Sequence, residues 1–184
     1  MEKYNWYDAN FDEELIKERD NTRQLYIQIN NCLDDNLRNQ LFDKLLPDKD
    51  TTSSISTPFY CDYGKNIKIG KNSFINLNNY FMDGAPITIG DNCFIGPNCG
   101  FYTAIHPLHH HDRNLGLEKA LPITIGNNVW LGGDVTILPG VTIGNNVVIG
   151  AKSLVTKDIP NNVLAYGQPC QVIREITDED LLKR

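Results

Sequence analysis

All four histidines of this 184-residue chain fall within one six-residue window: His106, His109, His110 and His111. An imidazole has a reference pKa of about 6.5, so a neutral one can take a proton near pH 7 and serve as a general base. His106 directly follows Ile105, an aliphatic of a regular inward series, and should project outward where that series stops. It is therefore either a general base or a surface histidine capping a strand. His109, His110, His111 and Asp112 invite a metal reading, but neighbours in an extended loop point in alternating directions and rarely all reach one ion. No histidine elsewhere could complete a zinc site. These three are read as solvated loop residues, with no metal required. Asn76 can supply an amide donor to a developing oxyanion, or it can simply shape a corner. Trp130 follows the inward Val129 and faces out, either as a contact surface for a ligand or subunit or beneath the 107–122 segment. Lys157 and Arg174 could hold phosphates, although isolated cations are usually just solvated.

The elements that position these groups are set by a period of six. Every sixth residue from Ile125 is aliphatic: Ile125, Leu131, Ile137, Ile143, Ile149 and Val155. Four places after each stands Val129, Val135, Val141, Val147, Ser153 or Ile159. An α-helix cannot hold such a period on one face, because its pattern repeats every 3.6 residues. Short strands separated by sharp corners can, with three sides closing one coil of a parallel β-helix. Residues eighteen apart then stack, placing Ile125 under Ile143 and Leu131 under Ile149. Gly126-Asn127-Asn128 and Gly144-Asn145-Asn146 mark corners, since Gly and Asn enter left-handed backbone at least cost. The same period runs through Ile69, Ile75 and Phe81 and through Ile89, Ile95 and Phe101. Cys93 and Cys99 take inward positions, as small buried hydrophobes.

Three divisions follow: residues 1–57, a helical segment and connector; 58–166, the β-helix, with a loop extruded at 107–122; and 167–184, a tail with a short helix. Helices are expected over 12–30 and 34–46, the second from the four-residue spacing of Leu33, Leu37, Leu41 and Leu45, with Pro47 ending it. The pair should dock on one end or side of the β-helix, and 48–57 reads as a polar connector. Beyond Pro160, Val163 and Ala165 form a last partial strand, and Thr177 opens the terminal helix. A net charge of −6 offers no basic footprint for nucleic acid or acidic membranes. Neither a signal-peptide core nor a membrane span is seen, and five cysteines without metal-site spacing suit reduced thiols. A cytoplasmic location is expected.

These blocks together resemble a known family. FYCDYGKNIKIG, the Asn76 region, GDNCFIGPN, TAIHP, PITIGNNVWLGG, PGVTIGNNVVIGAKSLVTKDIP and GQPCQVIREI are similar to the galactoside/maltose O-acetyltransferases, which are hexapeptide-repeat acyltransferases. The resemblance covers nearly the whole chain. It implies a left-handed parallel β-helix, a homotrimer, and acetyl-CoA bound between adjacent subunits. By the same resemblance His106 is the general base, and Asn76 touches both substrates and steadies the oxyanion. Asp8 and Asp62 match acceptor-binding positions. Coenzyme A falls to Asn76, Gly96, Trp130, Gly133, Ala151, Thr156, Lys157 and Arg174. Two departures stand out. Gly84, preceded by Asp83, occupies the place of a second acceptor-binding acid, so Asp83 is taken as its substitute; and Gln171 replaces an Arg. The expected activity is acetyl transfer from acetyl-CoA to a hydroxyl of a small acceptor such as a sugar. The alternatives are a xenobiotic acetyltransferase and a metal-dependent or non-catalytic β-helix protein.

Overall fold

The computed structural model describes residues 5–182. Its body is a parallel β-helix with three sheets as its faces. The first face stacks Asp48–Lys49, Ile67–Ile69, Ile87–Ile89, Ile123–Ile125 and Thr142–Ile143. Ser54–Ile55, Phe74–Ile75, Phe94–Ile95, Trp130–Leu131, Val148–Ile149 and Val163–Gly167 form the second, and Cys170–Glu175 adds an antiparallel strand at its edge. The third face holds Phe59–Cys61, Asn79–Met82, Gly100–Tyr102, Thr136–Ile137 and Leu154–Val155. Ile125 pairs with Ile143 and Leu131 with Ile149, the register that the hexads predict.

The inward aliphatics fill the bore, and Phe59, Phe81 and Phe101 stack along it with centroids 5.3 and 4.3 Å apart. Cys93 and Cys99 are buried among them as expected. Their thiols sit 3.1 and 3.2 Å from the carbonyls of Gly126 and Gly132. Corner chemistry divides differently from the expectation. The left-handed residue is the second Asn, with φ of 57° at Asn128 and 56° at Asn146. Gly126 serves a different need: a Cβ there would stand 2.6 Å from Asn145 Oδ1. That amide oxygen accepts from the Asn127 N–H at 2.7 Å, so successive corners are laced together.

Helix α1 (Glu13–Asn31) is opened by Asp12, whose carboxylate accepts from the N–H groups of Glu14 and Leu15. Helix α2 (Asp35–Leu45) begins at Asp34 in the same way, and the chain leaves the helix before Pro47. Both cover the N-terminal end of the coil stack, with Phe42 edge-on to Phe59. Leu45 and Phe42 are buried, but Leu33 and Leu37 are exposed. A four-residue spacing rotates about 40° per step on a 3.6-residue helix, so Leu37 drifts off the packed face, while Leu33 precedes the Asp34 cap and lies outside the helix.

Residues 48–57 are more than a connector. Asp48–Lys49 and Ser54–Ile55 pair in parallel with the next coil, so the β-helix begins ten residues before the expected start. Apart from Ile55, which packs against the core, their side chains are polar, and the pairing runs through the backbone. The coil register is also lost earlier than expected, after Thr103. Ala104–Ile105 turns outward, and Leu117–Ala120 returns antiparallel to it. The expected C-terminal helix is a single 3₁₀ turn, Asp178–Asp180, capped by Thr177 as predicted. Cys170–Glu175, read as a lead into that helix, is a strand.

Candidate active site

The extruded segment is a braced platform. Tyr7–Asp8 adds a third antiparallel strand against Leu117–Ala120, pairing Tyr7 with Glu118 and Asp8 with Leu117. Arg19 ties this sheet to α1 and the coil, donating to the Ala9 carbonyl at 2.7 Å and the Tyr63 hydroxyl at 2.8 Å. Between the outgoing and returning strands, helix α3 (His110–Arg113) packs at the tip. Arg113 there donates to the carbonyls of Pro107 and Leu108. His109, His110 and His111 are all exposed, with the first two rings stacked. Among the described residues no group of three or more His, Cys, Asp or Glu is placed to hold a metal ion.

His106 sits on this platform, half in solvent. Its Nδ1 lies 3.1 Å from the Leu117 carbonyl. A carbonyl only accepts, so Nδ1 carries the proton of the neutral ring and Nε2 keeps the lone pair. Nε2 stands 3.7 Å from Glu118 Oε2. The other Glu118 oxygen accepts from the Tyr7 hydroxyl. Burial, and then that hydrogen bond, push the Tyr7 pKa upward, so it remains a donor. Neither Tyr7 nor Glu118 was singled out by the sequence. Their partnership spans 111 positions and exists only through strand pairing.

Asp8 and Asp62 lie on this side of the molecule. One Asp8 oxygen accepts from the N–H groups of Asn10 and Phe11 at 3.0 and 2.8 Å. Asp62 accepts from the Tyr80 hydroxyl, and burial raises its pKa. Asp83 does not serve as an acceptor contact, because it points into the core and is completely buried. Phe81 points inward, and strand alternation carries Asp83 inward too. Its Oδ1 accepts from the N–H groups of Asp62 and Tyr63 at 3.0 and 2.8 Å, while Oδ2 has no partner. Burial pushes its pKa up to about 6. Asp83 therefore shapes the turn that presents Asp62.

The other singled-out residues lie elsewhere. Asn76, Gly96, Gly133 and Ala151 all belong to the corner between the second and third faces. The Asn76 oxygen accepts from the Leu77 N–H at 2.8 Å, which leaves its NH₂ group directed away from that bond. Buried Asn79 pins this corner, donating to the carbonyls of Asn76 at 2.6 Å and Gly96 at 3.1 Å. Trp130 is on the adjoining second face and 54% exposed, so the 107–122 segment does not cover it. Val148, Leu164 and Arg174 stand on successive rungs above it. Arg174 forms a two-point pair with Asp180 at 2.7 and 2.8 Å, which holds its guanidinium beside that face. Thr156 and Lys157 lie at the corner between the third and first faces, from which the His106 platform departs. The four-residue strand Asn79–Met82 separates the two corners, roughly 13 Å of extended chain. One chain therefore splits the singled-out residues into two groups.

Comparison with known proteins fits this geometry. A maltose acetyltransferase hexapeptide capping motif matches residues 5–49, the helical cap and its platform strand. The bacterial transferase hexapeptide (six repeats) family matches 122–157, and the hexapeptide repeat of succinyl-transferase matches 86–106. A Staphylococcus aureus (strain MRSA252) protein named as an acetyltransferase is 57% identical over 95% of this chain and 88% of its own length. The structure of a maltose O-acetyltransferase from Clostridium difficile 630 superposes with a TM-score of 0.91 at 45% identity, covering 95% of this chain and 94% of that one. A galactoside acetyltransferase in complex with coenzyme A gives a TM-score of 0.90 at 43% identity, covering 95% and 88%. These likenesses decide between the enzyme and the scaffold: the chain belongs to the maltose/galactoside O-acetyltransferase family of hexapeptide-repeat acyltransferases.

Proposed function

We propose that the protein transfers the acetyl group of acetyl-CoA to a hydroxyl of a small polyol, with His106 as the general base. The observation that carries this reading is the Leu117 carbonyl on Nδ1, which leaves a lone pair at Nε2 beside the Glu118 carboxylate. The acceptor hydroxyl donates its proton to Nε2 as its oxygen attacks the thioester carbonyl carbon. The tetrahedral oxyanion is steadied by the NH₂ of Asn76, which the Leu77 N–H holds in orientation. Collapse breaks the C–S bond, and the imidazolium returns the proton to the departing thiolate. No acyl-enzyme is needed when both substrates share one cleft.

The cleft is formed between chains. The corner with Asn76, Gly96, Gly133 and Ala151, and the adjoining face with Trp130 and Arg174, come from one subunit. His106, Asp8, Asp62, Thr156 and Lys157 come from its neighbour in a homotrimer. The support is the separation of the two corners within a chain, which leaves each group without an opposing wall. Coenzyme A, which the galactoside acetyltransferase relative holds, would lie along the second face with its thiol end at the Asn76 corner. Asp8 and Asp62 supply carboxylate oxygens, which suit acceptor hydroxyls.

A panel of glycosides, simple alcohols and aminoglycosides, followed by release of free coenzyme A thiol, tests the acceptor class. Glycosides should be turned over with kcat/KM well above the other two groups. Acetylation of the aminoglycoside amines in preference to any hydroxyl would contradict the polyol reading and favour an antibiotic amine as acceptor.

A further inference from the structure

Glu118 is a carboxylate set beside the base with one oxygen committed and one presented. Oε1 accepts from Tyr7, and Oε2 faces His106 Nε2 across 3.7 Å. That gap is too long for a hydrogen bond. Both atoms are acceptors when the ring is neutral, so neither satisfies the other. A single hydroxyl has one proton and can serve only one of them. Two hydroxyls on the same acceptor, one or two carbons apart, can serve both. The side chain is only 16% exposed, so few waters compete for Oε2.

Gly84 explains how the carboxylate reaches this place. Its backbone lies outside the left-handed region, so the position does not need glycine for conformation. It needs space. A Cβ at Gly84 would stand 3.1 Å from the Tyr7 hydroxyl and 3.4 Å from Glu118 Oε1. The Tyr7–Glu118 pair thus occupies the volume into which a side chain at position 84 would project. The acidic group missing at Gly84 is supplied from the returning strand of the platform instead.

We propose that Glu118 is an acceptor-binding residue that reads a second hydroxyl of the acceptor while His106 deprotonates the first. The substrate class is therefore narrowed from alcohols to compounds carrying paired hydroxyls. This rests on His106 as the base and on a polyol acceptor, and its test separates the two levels.

The probes are methyl glucoside and methyl galactoside, each beside monodeoxy analogues lacking a hydroxyl one or two carbons from the acetylated one. With the unaltered enzyme, loss of the read hydroxyl should lower kcat/KM about 10–100-fold, as for a hydrogen bond to a charged group. In Glu118→Ala the same deletion should cost no more than about threefold, because the partner is already gone. Glu118→Gln preserves shape and the Tyr7 contact and should give an intermediate ratio, which guards against misfolding of the alanine variant. A carboxylate that only steadied the imidazolium would slow full and deoxy acceptors alike. An unchanged ratio in both variants therefore overturns the proposal while leaving the base in place. Failure of both glycosides to react with the unaltered enzyme overturns the polyol reading itself, and this proposal with it.

Discussion

The base role proposed for His106 rests on a backbone group, the Leu117 carbonyl, and not on its three histidine neighbours. His109, His110 and His111 sit on or beside a short exposed helix, where the His109 Nδ1 accepts from the His111 N–H and the His111 Nδ1 lies 3.3 Å from an Asp112 carboxylate oxygen. His106→Ala should slow acetyl transfer by roughly 10²–10⁴ with little change in the Kd for coenzyme A, because the imidazole acts on the acceptor proton. Asn76→Ala should lower kcat by about 10²–10³ without a matching fall in thermal midpoint, since Asn79 holds the corner. Steady-state kinetics with calorimetry on both variants checks the pair. A His106→Ala enzyme with most of its turnover would remove the base, and a destabilised but active Asn76→Ala enzyme would make that residue a corner amide.

At the scale of the element, the turn around Asp62 depends on a buried acid. Asp83 has a pKa raised to about 6 in the folded state against 3.8 ordinarily. Well below pH 3.8 it is protonated in both states and contributes nothing. As pH rises toward 6 the unfolded chain ionises first, so folding becomes less favourable, and above about 6 the full penalty is present. The difference of some two units corresponds to a cost on the order of 3 kcal/mol. Asp83→Asn keeps an oxygen for the Asp62 and Tyr63 N–H groups but cannot ionise. Thermal midpoints of the two proteins, followed from pH 4 to 7, should therefore diverge, with the Asn variant gaining on the native one as pH rises. Parallel curves would show that Asp83 has the same pKa in the folded and unfolded chain, and that its burial carries no penalty.

The same turn shows what the sequence could reveal. Hexad periodicity announces the coils because burial of every inward position leaves a mark on residue type, and the Asn of each corner is legible for its backbone. Asp83 was also legible in principle: it stands two places from the inward Phe81. The first coil was hidden, since Asp48, Lys49 and Ser54 pair through backbone alone and carry no apolar pattern. Glu118 was hidden for another reason. It lies in the irregular segment, and its meaning comes from Tyr7, Gly84 and His106, which antiparallel pairing brings together from three parts of the chain.

For the whole molecule, the central claim is that no chain holds a complete site. The Asn76 corner and the His106 platform stand at opposite ends of a third-face strand, so the proposed site requires an interface to bring them together. The direct measurement is complementation. His106→Ala and Asn76→Ala proteins, each nearly inactive, are mixed in equal amounts, dissociated, reassembled and assayed for thiol release. In random trimers about a quarter of the interfaces would join an intact His106 from one chain to an intact Asn76 from the next. The account predicts recovery of about a quarter of the native activity on that basis. A mixture that reassembles into oligomers yet stays as inactive as its parents would place both residues in a site within one chain, and the intersubunit mechanism would be wrong.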